Sequence, residues 1–226
     1  MFIPLKKNPK EAAIVGRMLL GYGELEYLFA EMLGHAIGNL RTGIRTYFRV
    51  GGESARLDMA DSIIFPVAES IGLKNEYGSL LGAMNWCRCT RNRYAHCHWE
   101  SGTDEQPGLF YVDMAEAAQK KTAQYSWRHV DVDILKKQED YFYYTQHCIF
   151  FVSESIRYRV EKRSAPLTHV QWPSYIPEPS KHNSPETHTP PWTPVTQSPP
   201  QTTLARKSQR RARRVEKAKR KTLWKK

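Results

Sequence analysis

Between Glu11 and Ala36 the apolar residues Ile14, Val15, Met18, Leu19, Tyr22, Leu25, Phe29, Met32, Leu33 and Ala36 recur at three- and four-residue steps. That spacing is the stripe of an amphipathic helix about seven turns long. Gly21 and Gly23 weaken the helix and allow close packing against a neighbour.

Three further helical runs follow the first. A link containing Gly51-Gly52 leads into a run from about Ser54 to Ile71, with Leu57, Ala60, Ile64, Ala68 and Ile71 on one face, and Pro66 should bend or interrupt it. From about Asn75 to Cys97, Leu80, Met84 and Cys87 form a seam that continues to Arg91. The last run begins near Asp131, a good cap, and reaches about Lys162 through Leu135, Gln138, Phe142, Thr145, Ile149, Val152 and Ile156. Between them, residues 100–130 lose the helical period, and 108–112 and 125–130 are aromatic and β-branched enough to be short strands. The expected fold of residues 1–162 is therefore all-α, a four-helix up-and-down bundle with a short β excursion between its third and fourth helices.

Beyond Arg163 the composition changes. Of the 14 prolines, 10 fall between Pro166 and Pro200, so residues 163–204 read as a Pro-rich disordered linker with no core to join. Residues 205–226 form a basic tail with 12 Lys+Arg against the single acid Glu216. Residues 1–162 carry 20 Lys+Arg and 20 Asp+Glu, so the formal net charge of +11 resides beyond them. Such a tail gathers a phosphate backbone with strong salt dependence and little sequence preference; Arg206, Lys207, Arg210, Arg211, Arg213, Arg214, Arg220 and Lys221 are its candidate RNA-binding groups. A solubilising tail or a contact for an acidic protein is the bland alternative. The N-terminus lacks the apolar core of a signal peptide, and the patch from Cys148 to Val152 is far shorter than a bilayer span. Four cysteines, three of them crowded together, do not resemble a secreted disulfide framework. The expected location is the cytoplasm, away from membranes.

The densest chemistry lies in residues 87–99, which hold three arginines, two histidines and three cysteines. Arg91 and His96 are separated by about 140° on an ideal helix, so they converge only where the helix ends or bends, or where a partner contributes. Arg91 continues the apolar seam, whereas Arg93 is rotated about 200° from it and is expected to face solvent. A seam arginine needs an anion or a carboxylate. Glu26 is the candidate because it falls between Tyr22 and Phe29 on the first stripe, with Glu24 and Glu31 off it. The same trace would be left by a buried ion pair with a histidine at a helix C-terminus. Zinc is disfavoured, since Cys87 and Cys89 point about 200° apart and no second Cys-X2-Cys pair exists. Cys97 and Cys148 read as small core residues, and the run Tyr141, Phe142, Tyr143, Tyr144 as two core and two surface positions.

Arg91-Asn92-Arg93-Tyr94-Ala95-His96 resembles the Arg-polar-X3-His signature of HEPN (higher eukaryote and prokaryote nucleotide-binding) domains, four-helix bundles with that motif near the end of a late helix. The resemblance implies a metal-independent endoribonuclease that needs no cofactor. It also implies a homodimer bringing two motifs into one cleft, in a toxin or defence setting with an antitoxin or inhibitory partner. It assigns His96 to proton transfer at the ribose 2′-OH or the leaving 5′-oxygen, and Arg91 to the charge on the phosphorane. Asn92 would hold His96 or orient the phosphate, and Glu26 or Glu24 would be the site acid. A non-catalytic nucleic-acid- or nucleotide-binding bundle and a protein interaction module are the alternatives.

Overall fold

The computed structural model describes residues 3–119, 126–160 and 171–183. In chain order the elements are α1 (Ile3–Lys7), α2 (Pro9–Ala36), α3 (Leu40–Arg49), α4 (Glu53–Ser70), α5 (Lys74–His96), β1 (Cys97–Ser101), β2 (Leu109–Asp113), α6 (Met114–Gln119), β3 (Arg128–Val130) and α7 (Val132–Val160). The four expected helical runs are present as α2, α4, α5 and α7. Pro9 opens α2, where its missing N–H costs nothing. Asp131 caps α7 by accepting the Ile134 N–H at 2.9 Å. Pro66 does not interrupt α4. Both it and Ser62, whose carbonyl loses its helical donor, lie on the exposed face, where that carbonyl is open to solvation.

The buried faces match the periodicity. Ile14, Val15, Met18, Tyr22, Leu25 and Phe29 of α2 are all buried, and so are Leu135, Gln138, Phe142, Thr145, Ile149, Val152 and Ile156 of α7. A helix not foreseen in the sequence, α3, fills what was read as a link, packing on the end of α2 through two glycines. A Cβ on Gly34 would stand 2.7 Å from Leu40 Cα, and one on Gly43 would meet the Gly34 backbone. Close helix approach occurs there, and not at Gly21 or Gly23, where an added Cβ meets nothing within 4 Å. The aromatic run of α7 also differs from expectation, because Tyr141, Phe142 and Tyr144 are buried and Tyr143 alone is exposed. Tyr141 sits edge-on to Trp86 at 4.9 Å between ring centroids, which draws the third aromatic inside.

The β excursion is real and larger than expected, so the fold is mostly helical with a small sheet rather than all-α. Strands β1, β2 and β3 pair antiparallel in that order, Cys97 opposite Asp113 and Leu109 opposite Val130. Helix α5 passes into β1 without a loop. Gly108, at φ 123°, turns the chain where a Cβ would lie 2.7 Å from the Val130 carbonyl oxygen, so no larger residue fits.

Residues 171–183 overturn the expectation of a linker with no core to join: they form an extended strap on the helical core. Trp172 and Ile176 pack against that core, Trp172 edge-on to Phe151. Gln138 Nε2 donates to the Ser180 carbonyl at 2.8 Å, and Asn183 Nδ2 donates to Asp131 Oδ2 at 2.8 Å. The prolines supply an extended backbone that asks for few ladder hydrogen bonds, and two large apolar side chains attach it. The rest of the expected linker, 163–170 and 184–204, lies outside the described residues. No described helix is long and apolar enough to cross a membrane.

Candidate functional site

Along α5 the buried residues Leu80, Met84 and Cys87 lead to Arg91, which leaves the core at the α4 side. Its Nη1 donates to Glu53 Oε1 at 2.9 Å and to Asn92 Oδ1 at 2.8 Å, and Asn92 Nδ2 donates to Glu53 Oε2 at 2.7 Å. The three side chains close a ring of hydrogen bonds, and the guanidinium lies over the Tyr22 ring at 5.8 Å. Nη1 is thus fully used. Among the described residues Nε and Nη2 make no hydrogen bond, and the side chain is 33% exposed. A held guanidinium with one open edge is the fork that grips two oxygens of a phosphate or carboxylate.

Glu26 is not the direct partner of Arg91. It lies inside the seam as expected, but accepts from Arg56 Nη1 at 2.6 Å, while Glu53, the first residue of α4, takes Arg91. An acid in the first turn of a helix is favoured by the helix dipole alone, so nothing in the sequence marks Glu53 as a tertiary partner. Burial raises the Glu26 carboxyl above its ordinary pKa, against the pull of Arg56 and with the help of neighbouring Glu53. Glu24 is exposed. Tyr22 and Tyr47 complete the cluster with buried hydroxyls that have no hydrogen-bond partner among the described residues, and burial lifts both phenols far above their usual range.

His96 is the last residue of α5; it is exposed and, among the described residues, makes no hydrogen bond or ion pair. The helix is continuous from Arg91 to His96, so the two side chains leave it about 140° apart and about 7.5 Å along its axis. One chain does not bring them together. Asn92 is engaged by Glu53 and Arg91 rather than by His96.

Arg93 is not solvent-facing. Its side chain is 15% exposed, with Nε 3.9 Å from Asp113 Oδ2, because the hairpin of β1 and β2 folds back over that face of α5. His98 is exposed beside Glu100 at 3.3 Å. The cysteines are free thiols, and burial pushes Cys87 and Cys97 up to about 12 and Cys148 up to about 11. Burial thus favours the neutral thiol over the nucleophilic thiolate in all three. Among the described residues no three His, Cys, Asp or Glu side chains gather as metal ligands. Arg206, Lys207, Arg210, Arg211, Arg213, Arg214, Arg220 and Lys221 lie outside the described residues. Comparison with protein families, with curated proteins and with solved structures finds no match to this chain.

Proposed function

We propose that the chain is a metal-independent endoribonuclease whose site is completed between two copies, with Arg91 of one and His96 of the other acting on the same ribose-phosphate linkage. The four long helices are then read as an up-and-down HEPN-like bundle. The observation that carries this reading is the clamped guanidinium: among the described residues Glu53 and Asn92 consume Nη1 and leave Nε and Nη2 without partners, and the imidazole at the end of the same helix has no partner either. The open edge would bind the phosphate oxygens and stabilise the charge that builds as the 2′-oxygen attacks phosphorus. His96 would take the 2′-proton or protonate the leaving 5′-oxygen, since an imidazole serves as either general base or general acid. The products are a 2′,3′-cyclic phosphate and a 5′-hydroxyl, and DNA, lacking the 2′-OH, is not cut. A toxin or defence role in the cytoplasm, with an antitoxin or other inhibitory partner, belongs to the same proposal on the strength of the resemblance.

The test is RNA cleavage in EDTA by wild type, Arg91→Ala, His96→Ala and a mixture of the two variants. Each variant alone should lose at least about 100-fold. The mixture should recover roughly a quarter of wild-type activity, since about half of randomly paired dimers hold one intact composite site. No recovery on mixing would remove the shared site, and no chelator-resistant cleavage by wild type would remove the nuclease. A second reading, phosphate binding without cleavage, is favoured by the neutralisation of Arg91 by Glu53 and by the turn of His96 away from it. It predicts RNA binding that Arg91→Ala weakens, with no cleavage by any form.

A further inference from the structure

In the polar cluster Arg56 faces Glu26 and Arg91 faces Glu53, but among the described residues Arg88 has no carboxylate at ion-pair distance. Its Nη2 donates to Asn85 Oδ1 at 2.7 Å, and its buried Nε has no hydrogen-bond partner among the described residues. With Glu26 and Glu53 already committed, Arg88 is a positive charge of the cluster that no carboxylate of the described residues compensates. A half-buried guanidinium in that position is held at a free-energy cost that a bound anion would remove.

Arg88 stands three residues before Arg91 on α5, so the two are neighbours on one face, about 4.5 Å apart along the axis. Tyr22 joins them from α2. Its ring lies under the Arg91 guanidinium, the residue is 1% exposed, its buried hydroxyl has no hydrogen-bond partner among the described residues, and the Arg88 charge acts on it. Burial keeps that phenol protonated, and a protonated phenol donates. Two guanidinium groups thus flank one phenolic O–H, and among the described residues neither Arg88 nor that hydroxyl has an anionic partner.

We propose that Arg88, with the Tyr22 hydroxyl, binds a second backbone phosphate beside the one held by Arg91, so that the cluster takes a strand with two consecutive phosphates rather than a mononucleotide. The inference rests on the reading that Arg91 holds a phosphate, and it adds the substrate class: a single strand whose backbone runs along α5. Single strands suit the site because adjacent phosphates follow a flexible backbone and need no groove geometry.

Binding of 2′-O-methyl dinucleotides to the full chain tests this without turnover, because these ligands lack the attacking hydroxyl. Affinities would be measured by calorimetry for dinucleotides bearing only the internal phosphate and for the same compounds with an added 5′- or 3′-phosphate. In wild type one added phosphate should tighten binding about tenfold. In Arg88→Gln and in Tyr22→Phe, the gain should fall below about threefold with affinity for the internal phosphate unchanged. Arg91→Ala should weaken all ligands alike. An undiminished gain in Arg88→Gln, or no gain in wild type, would overturn the second subsite. A mononucleotide binding as tightly as the doubly phosphorylated ligand would assign both arginines to one phosphate and overturn it too. If wild type shows the gain and Arg88→Gln loses it, yet wild type never cuts RNA, the nuclease reading fails and the subsite stands.

Discussion

Gln138 links three parts of the molecule, so its replacement is expected to be costly in a way that a second mutation repairs. The side chain is fully buried on α7, accepts the Tyr94 hydroxyl at 2.6 Å and donates to the Ser180 carbonyl of the strap at 2.8 Å. Gln138→Leu removes both bonds. The Tyr94 hydroxyl, on a residue 3% exposed, is then left without an acceptor at about 1–3 kcal/mol, whereas Ser180 is exposed and its carbonyl can be hydrated at a loss of about 0.5–1 kcal/mol. The sum is about 1.5–4 kcal/mol, or a fall in Tm of roughly 3–16 °C for a folded body of this size. In the double variant Gln138→Leu with Tyr94→Phe no orphaned hydroxyl remains, and most of the Tyr94 part should return, leaving a deficit of about 1–2 kcal/mol. Urea denaturation of the wild type, both single variants and the double variant measures the coupling directly. Additive losses from the two substitutions would show that the Tyr94–Gln138 bond does not support the motif helix.

Glu53→Ala frees both Arg91 and Asn92, and a guanidinium displaced by about 1 Å should cost about 100-fold in chelator-resistant RNA cleavage, with the fold checked by circular dichroism. The raised pKa of Glu26 means that its protonated form is the better fitted to the folded state; its contribution is full below the unfolded value and is lost as pH rises through the folded one. Glu26→Gln should therefore flatten the decline in denaturation free energy from about pH 4 upward, and an unchanged slope would count against the assignment. Gly43→Ala drives a Cβ into the Gly34 backbone and should destabilise by about 1–3 kcal/mol, whereas Gly23→Ala, with open space around it, should stabilise by about 0.5–1 kcal/mol; thermal melts separate the two.

The long helices were legible because each repeats its apolar face over many turns, and the Asp131 cap was legible because capping is local chemistry. Helix α3 was not: its ten residues bury only Gly43 and Tyr47, too few to set a period, and it is held by a glycine contact invisible in one dimension. Strand β1 carries Cys, His and Glu, poor strand signals, and exists because β2 pairs with it. The strap was hidden by its prolines, which mark an unbonded backbone without saying whether Trp172 and Ile176 find a surface. At the site, the inward direction of Arg91 followed from the seam, but its partner did not, since Glu53 looks like any acid opening a helix. Arg93 was misplaced because a helical wheel knows nothing of a hairpin that returns to cover it.

The junction of α5 and β1 has a mechanical meaning. With His96 ending the rod and Cys97 already in register with Asp113, the imidazole rides on a joint that has no slack. One residue inserted there would swing the ring by about 100° or turn the ribbon inside out, whereas changes at the hairpin tip leave its bearing untouched. The aim of the histidine is thus set by the phase between two kinds of secondary structure.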